Sequence, residues 1–357
     1  MKSQTKQLDF TGQKIFVGID VHKTTWKVAT CTKNTKSTRW PVTIQKPFVI
    51  NVKSYLDKHF AGAQFLCAYE AGFSGFWIKE ELEKVGLSTL VAHAADIPTS
   101  DKERKQKEDK RDARKIATAL RGGQIEGIYV PTQQAQLDRS IVRERYSIAK
   151  SLRRVKSQIK SHLAFFNMEI SDKKLEKYWS SRYIAWLEEQ RESHSDERLG
   201  LQIARLHSMR KTMLLSNRSI RKLSQAERHQ KLFGILISVP GVGLLTSMLL
   251  IGEIIDMGRF ANFDSLCSYV GFIPTTNSSA EKDRKGNLTK RCNGRLRSAL
   301  VESSWSAIKN DQELLLKYEK FKERMNGKEA IVRIARILLS RIRFLWLSGE
   351  TYQKAEF

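Results

Sequence analysis

The sequence predicts an α/β N-terminal domain, a connector of long helices and a mainly α C-terminal domain. Three observations carry this reading. Residues 12–131 alternate short branched apolar runs with stretches of helical spacing. Residues 132–232 hold no proline and almost no glycine, but much Lys, Arg, Gln, Glu and Leu. Residues 233–350 open near a Pro-Gly turn and close on an apolar helix. A chain of 357 residues is too long for one small core.

In the first region Lys14 to Asp20 (KIFVGID) reads as a central buried strand. Trp26 to Thr32 and Thr38 to Thr43 read as two further strands joined by a polar NTKS turn. A helix follows over Pro47 to His59, then a buried strand over Gln64 to Tyr69 (QFLCAY). Ser74 to Val85 has helical spacing, Ser88 to Ala92 is a strand, and Lys107 to Leu120 is a helix. Three strands followed by strand-helix alternation is the order of ribonuclease H-like folds, an analogy at the level of the fold.

The connector predicts long helices that pair as a coiled coil, serving self-association or RNA binding, or else a solvated spacer. The third region begins at Leu236 and opens with Pro240-Gly241-Val242-Gly243 and an apolar helix, then passes through a basic loop to the C-terminal helix. The PGVG turn has two readings. It is a helix-hairpin-helix-like element that receives a DNA phosphate on backbone amides, or a tight connection between helices.

Charge narrows the function. Lys and Arg number 63 against 38 Asp and Glu, and a net charge of +25 points to a polyanionic partner. Nucleic acid is the first candidate and an anionic membrane surface the second. No apolar run is long enough to span a bilayer, and the most apolar stretch, Ile331 to Trp346, is broken by Arg333, Arg336, Arg341 and Arg343. The N-terminal MKSQTKQLDF lacks the apolar core of a secretory signal, so a cytoplasmic setting is expected. The four cysteines (Cys31, Cys67, Cys267, Cys292) form no CxxC pair, and the seven histidines form no HExxH. Zinc ribbons and disulfide frameworks are thereby disfavoured, and free thiols are expected.

The acids at element ends suggest phosphoryl-transfer chemistry. Asp20 ends the first strand and Glu70 directly follows another. Asp109 and Asp112, spaced i, i+3, share one face of the third helix among Lys107, Lys110, Arg111, Arg114 and Lys115. In a ribonuclease H-like sheet these four carboxylates would converge. Converging carboxylates repel unless a cation lies between them, and hard oxygen ligands select Mg²⁺ or Mn²⁺. Taken singly, Asp20 reads as a structural strand-end residue and Asp109 and Asp112 as solvated salt-bridge partners, so the metal reading rests on four acids in order at the right ends of elements.

Near the C-terminus the run GFIPTTNSSA is followed by Lys282, Arg284 and Lys285, then by Lys290, Arg291, Arg295 and Arg297. A serine hydroxyl becomes a nucleophile only when its proton is removed and its target is polarised. The basic residues would hold a phosphate and stabilise its developing charge. Without further support, Ser278 and Ser279 read as loop residues satisfying backbone groups.

Together these motifs resemble the DEDD transposases of bacterial insertion sequences, a group related to the pilin-gene DNA invertases and including bridge-RNA-guided recombinases. FVGIDVHKTTWKVA and YEAGFSGFWIKEEL are similar to that family's first two acidic motifs, and KEDKRDARKIA to its paired-aspartate motif. PGVGLLTSMLLIGEIIDMGRF, SLCSYVGFIP, GNLTKRCNGRLRSALVESSW and EAIVRIARILL follow its C-terminal pattern in order. The resemblance implies a ribonuclease H-like (RuvC-like) catalytic domain over 12–131, a helical connector over 132–232 and a transposase domain over 233–350. It implies that Asp20, Glu70, Asp109 and Asp112 bind metal and that Ser279, five residues past Pro274, is the nucleophile, with Ser278 as the adjacent alternative. Ala280 stands where the family often has glycine. Implied partners are donor and target DNA, a structured guide (bridge) RNA, and further copies of the chain as a dimer assembling to a tetramer.

Three functions compete at this point. One is a recombinase in which a serine attacks. Another is a metal-dependent junction resolvase or nuclease that uses water. The third is a nucleic-acid-binding protein without chemistry, which would predict loss of at least one acid of the set.

Overall fold

The structure is a computed structural model that describes residues 9–33, 42–45, 48–98, 109–168, 179–279, 282–289 and 291–353. The chain divides into two units, Met1–Val130 and Pro131–Phe357.

The first unit is built on a five-stranded sheet. Its strands are β1 (Lys14–Val21), β2 (Thr25–Thr32), β3 (Val42–Gln45), β4 (Gln64–Glu70) and β5 (Ser88–Ala92), in the order β3-β2-β1-β4-β5. β1 pairs antiparallel with β2 and β2 with β3, while β1 with β4 and β4 with β5 are parallel. Alternation along β1 sends Ile15, Val17 and Ile19 into a core with α1 (Val49–His59) and α2 (Trp77–Lys84). Phe16 points the other way, into a core with Ala29, Cys31, Ala68 and α3 (Asp109–Arg121). Both faces are therefore covered, which explains why the strands read as continuous apolar runs.

Where β1 and its neighbours present Gly18, Ala29 and Ala68 to α3, the helix approaches closely. A Cβ on Gly18 would lie 2.1 Å from the Ala113 carbonyl oxygen. Element boundaries differ modestly from expectation. α2 starts at Trp77 rather than Ser74, because the Gly75 amide donates to the Gly72 carbonyl in a preceding turn. The third strand is described at Val42–Gln45, and residues 38–41 of its expected span lie outside the described residues.

Among its described residues the second unit is helical apart from one hairpin. α4 (Gln133–Phe165) is 33 residues long, capped by Thr132, whose side chain accepts from the Ala135 amide. α5 (Ser181–Ser193) and α6 (Glu197–Ser224) follow, with side-chain caps from Ser180 and Asp196. α4 and α6 run antiparallel, with Arg145 bonded to Asn217, Arg205 to Gln158 and His162 to Asp196. Val155, Ile159 and Leu163 of α4 pack on Leu199, Ile203 and Leu206 of α6. At the other end of the pair, Val142, Ile220 and Leu223 join the C-terminal core, so the long helices are rooted in it.

That core also takes in α7 (Glu227–Ile237), α8 (Leu244–Ile254), α9 (Phe263–Val270), α10 (Gly294–Asn310), α11 (Gln312–Lys322) and α12 (Gly327–Ser348). The expected basic loop instead contains two strands, β6 (Pro274–Ser279) and β7 (Lys282–Leu288), paired antiparallel. Ser278 and Ser279 thus lie in a strand, not a loop. Polar TTNSS and KDRKGN carry no apolar alternation, so period two was absent from the pattern there. Among the described residues no helix is long and apolar enough to cross a membrane.

Candidate active site

Asp20, next to last in β1, and Glu70, last in β4, lie at the same end of neighbouring parallel strands. The register pairs Ile19 with Tyr69, so the two acids are the next residues along. Asp20 comes two residues after Gly18, and Glu70 two after Ala68, both on the α3 side of the sheet. α3 runs antiparallel to β1. The Cys31 thiol, opposite Phe16, donates to the Ala117 carbonyl at 3.2 Å, whereas Gly18, further along β1, meets Ala113. The start of α3, with Asp109 and Asp112, therefore lies toward the strand ends that carry Asp20 and Glu70.

The described side chains already have partners. Asp20 Oδ2 is 3.0 Å from His22 Nε2, and the Asp20 side chain is 16% exposed. Asp112 Oδ1 is 3.5 Å from Lys115 Nζ. Glu70 is exposed and also interacts. Asp109 is the first residue of α3, and its side chain is outside the described set. Among the described residues no three His, Cys, Asp or Glu side chains are gathered closely enough to hold a metal ion. The register thus sets Asp20 beside Glu70, and the direction of α3 puts the backbone of Asp109 and Asp112 toward the same strand ends, without gathering the described carboxylates into a metal-sized cluster.

The serines sit at the far end of the β6–β7 hairpin. The register sets Ser279 opposite Lys282, Ser278 opposite Asp283, Asn277 opposite Arg284 and Thr276 opposite Lys285. Their side chains, and the whole of Lys290, fall outside the described residues. Arg291 and Arg295 are exposed. Arg297 is half-buried and its Nη1 donates to the carbonyls of Thr289 (2.8 Å) and Gly271 (3.4 Å), tying α10 to the hairpin base.

A second anchor was not anticipated. Glu253, 1% exposed in α8, accepts two hydrogen bonds from Arg143 at 2.7 Å and one from Asn293 Nδ2 at 2.9 Å. Asn293 also caps α10 by accepting from the Leu296 amide, and its own amide donates to the Tyr269 carbonyl. Burial pushes the Glu253 pKa up, but the Arg143 hydrogen bonds and charge, with Asn293 and Arg139, hold it below the ordinary carboxylate value. The signal in the sequence was a lone carboxylate inside LLTSMLLIGEII, since a charge in an apolar helix needs a partner. Which residue would be that partner was not readable, because Arg143 lies 110 positions away.

The PGVG turn packs tightly. Gly241 has φ +80°, and a Cβ there would lie 2.2 Å from the Ser303 carbonyl oxygen of α10. This close contact accounts for the glycine by helix packing.

Two sequence families match the chain. Residues 17–168 match a transposase family of the DEDD, IS110 type, and residues 234–319 match the transposase family of IS116, IS110 and IS902. The putative transposase y4qE of Sinorhizobium fredii is 27% identical over 300 residues, covering 82% of this chain and 72% of that protein. The transposase for insertion sequence element IS1533 of Leptospira borgpetersenii is 27% identical over 304 residues, covering 82% of this chain and 85% of its own.

Proposed function

Because the chain belongs to the IS110 family of DEDD transposases, enzymes that cleave and rejoin DNA, we propose that it does so through a serine-linked intermediate assisted by a carboxylate-bound metal. The observation that supports the carboxylate half is that Asp20 and Glu70 are neighbours in the β1–β4 register, with the start of α3 directed toward the same strand ends. The strand order β3-β2-β1-β4-β5, antiparallel then parallel, supports a ribonuclease H-like (RuvC-like) reading of residues 12–131. An all-oxygen donor set from Asp20, Glu70, Asp109 and Asp112 fits Mg²⁺ or Mn²⁺. Such an ion, when bound, polarises a phosphoryl oxygen and favours the deprotonated form of an attacking or leaving oxygen.

The serine half rests on the family match over residues 234–319 and on the hairpin register. The register sets the backbone of Ser279 opposite that of Lys282, and the family motif puts the nucleophile five residues past Pro274, at Ser279, with Ser278 the adjacent alternative. In the proposed step Ser279 Oγ loses its proton and bonds to phosphorus, and a DNA oxygen leaves and takes up a proton. A DNA hydroxyl then attacks the phosphoserine, restoring the serine. Lys282, Arg284, Lys285, Lys290, Arg291, Arg295 and Arg297 are assigned to holding phosphates.

On this reading residues 132–232 are a scaffold and 233–350 the domain that presents the serine. The partners are donor and target DNA, a structured guide RNA, and further copies of the chain in a dimer and then a tetramer, in the bacterial cytoplasm. Self-association is supported by exposed Leu201, Leu214 and Leu215 on α6.

The test uses the full chain with DNA carrying the element ends. Ser279→Ala is expected to keep DNA binding and lose the covalent protein–DNA adduct and the product together, whereas Ser278→Ala keeps most of both. EDTA or Asp20→Ala abolishes product. Normal recombination by the double serine variant would replace the serine with water as nucleophile, and full activity in EDTA would remove the metal assignment.

A further inference from the structure

We infer that Arg139, Arg143 and Arg259 form a binding site for a phosphate of the DNA backbone, beside the base of the β6–β7 hairpin. The inference rests on the family's action on DNA and on neither the serine nor the carboxylate assignment.

Among the described residues, Arg139, Arg143 and Arg259 are grouped near the carboxylate of Glu253. Arg139 and Arg143 are one turn apart on α4, on the same face. α4 packs on α8 at Gly252, where a Cβ would lie 3.4 Å from Arg139 Cα, which puts Arg139 next to Glu253. Arg259, in the turn Met257–Arg259, donates from Nη2 to the Glu253 carbonyl oxygen at 3.3 Å. Its guanidinium lies 4.6 and 4.7 Å from the ring centres of Phe260 and Tyr269. Glu253 is itself used by Arg143 and Asn293.

Arg139 is half-buried and makes no hydrogen bond or ion pair among the described residues. Burial, with the charges of Arg143 and Arg259, pushes its pKa down, although an arginine stays charged. A half-buried guanidinium that cannot lose its proton needs an anion or water. The guanidinium fork suits the paired oxygens of a phosphodiester, and the whole chain's charge of +25 favours a polyanion. The site also borders the proposed DNA-contacting surface. Asn293 bridges Glu253 to the first turn of α10, which carries Arg295.

The experiment measures binding of a fluorescein-labelled duplex by the full chain across a salt series. Wild type is compared with Arg139→Ala and Arg139→Lys. Arg139→Ala is expected to weaken binding by about tenfold and to flatten the plot of log K against log salt by about 0.9, as for one lost phosphate contact. Arg139→Lys should retain the slope. In parallel, phenylglyoxal labelling of Arg139 in the wild-type protein, read by peptide mass spectrometry, should fall when duplex is added. That second measurement decides the matter even if Arg139→Ala proves unstable. Equal labelling with and without duplex overturns the site, as does a wild-type slope in a folded Arg139→Ala protein. A change confined to a structured RNA, with duplex binding intact, overturns it too. Absence of duplex binding by the wild type would instead remove the DNA-handling reading itself, and this site with it.

Discussion

Asp138 shows how single residues set the structure of the helical unit. It is 5% exposed on α4 and accepts from Arg228 Nε and Nη2 at 2.8 Å each and from Gln134 at 2.9 Å, with His229 Nε2 at 2.7 Å. Burial pushes its pKa up, but Arg228, His229 and Gln134 together push it further down, to about 2. A carboxyl whose folded pKa is depressed stabilises the protein above the unfolded value and loses that contribution as pH falls through the folded one. Asp138→Asn should therefore destabilise the protein by about 1–3 kcal/mol near neutral pH, the cost of a broken buried hydrogen-bond set. The difference in melting temperature from wild type should shrink between pH 3.8 and about 2. A constant difference across that range would show that Asp138 acts by packing rather than by charge.

At the scale of elements, the carboxylate corner depends on how closely α3 rests on β1. With a Cβ of residue 18 placed 2.1 Å from the Ala113 carbonyl and 2.5 Å from the Ala117 amide nitrogen, the helix backbone leaves no room for a side chain. Backbone atoms of a helix cannot yield as a flexible side chain does, so Gly18→Ala must push α3 outward or bend β1. The expected loss is at least about 2 kcal/mol in denaturant unfolding, within the range for overpacked cores. DNA cleavage should fall further than stability does, because the start of α3 moves relative to Asp20. Wild-type stability and cleavage in this variant would contradict the packing described for α3.

Across the whole molecule the governing quantity is the net charge of +25. Nucleic-acid binding should weaken steeply with salt, by about 0.9 in log–log slope for each phosphate contact on a duplex. Replacing Lys290, Arg291 and Arg295 together with alanine should weaken binding and flatten that slope. An unchanged slope would place the nucleic-acid surface elsewhere, with the basic α4 and α6 as the next candidates. Both arginines are exposed, so their loss should leave the melting temperature near that of wild type.

The sequence by itself determined much of the local structure. Branched apolar runs marked four of the five strands of the sheet nearly to the residue, and Asp20 and Glu70 were readable as strand-end acids because strand ends are local features. The long helices were equally legible, since a helix writes its period into consecutive residues. Only the tertiary structure decided what depends on distant partners. The polar strands β6 and β7 pair with each other rather than with a core, so neither shows alternation. Glu253 stands alone as a charge in an apolar helix, and its partners Arg143 and Asn293 come from other helices. At Gly18 in a strand and Gly241 in a turn, it is the backbone of α3 and of α10 that leaves no space for anything larger. Local periodicity records which face of an element is buried. It does not record which other element buries it, and that is fixed by packing between residues remote in the chain.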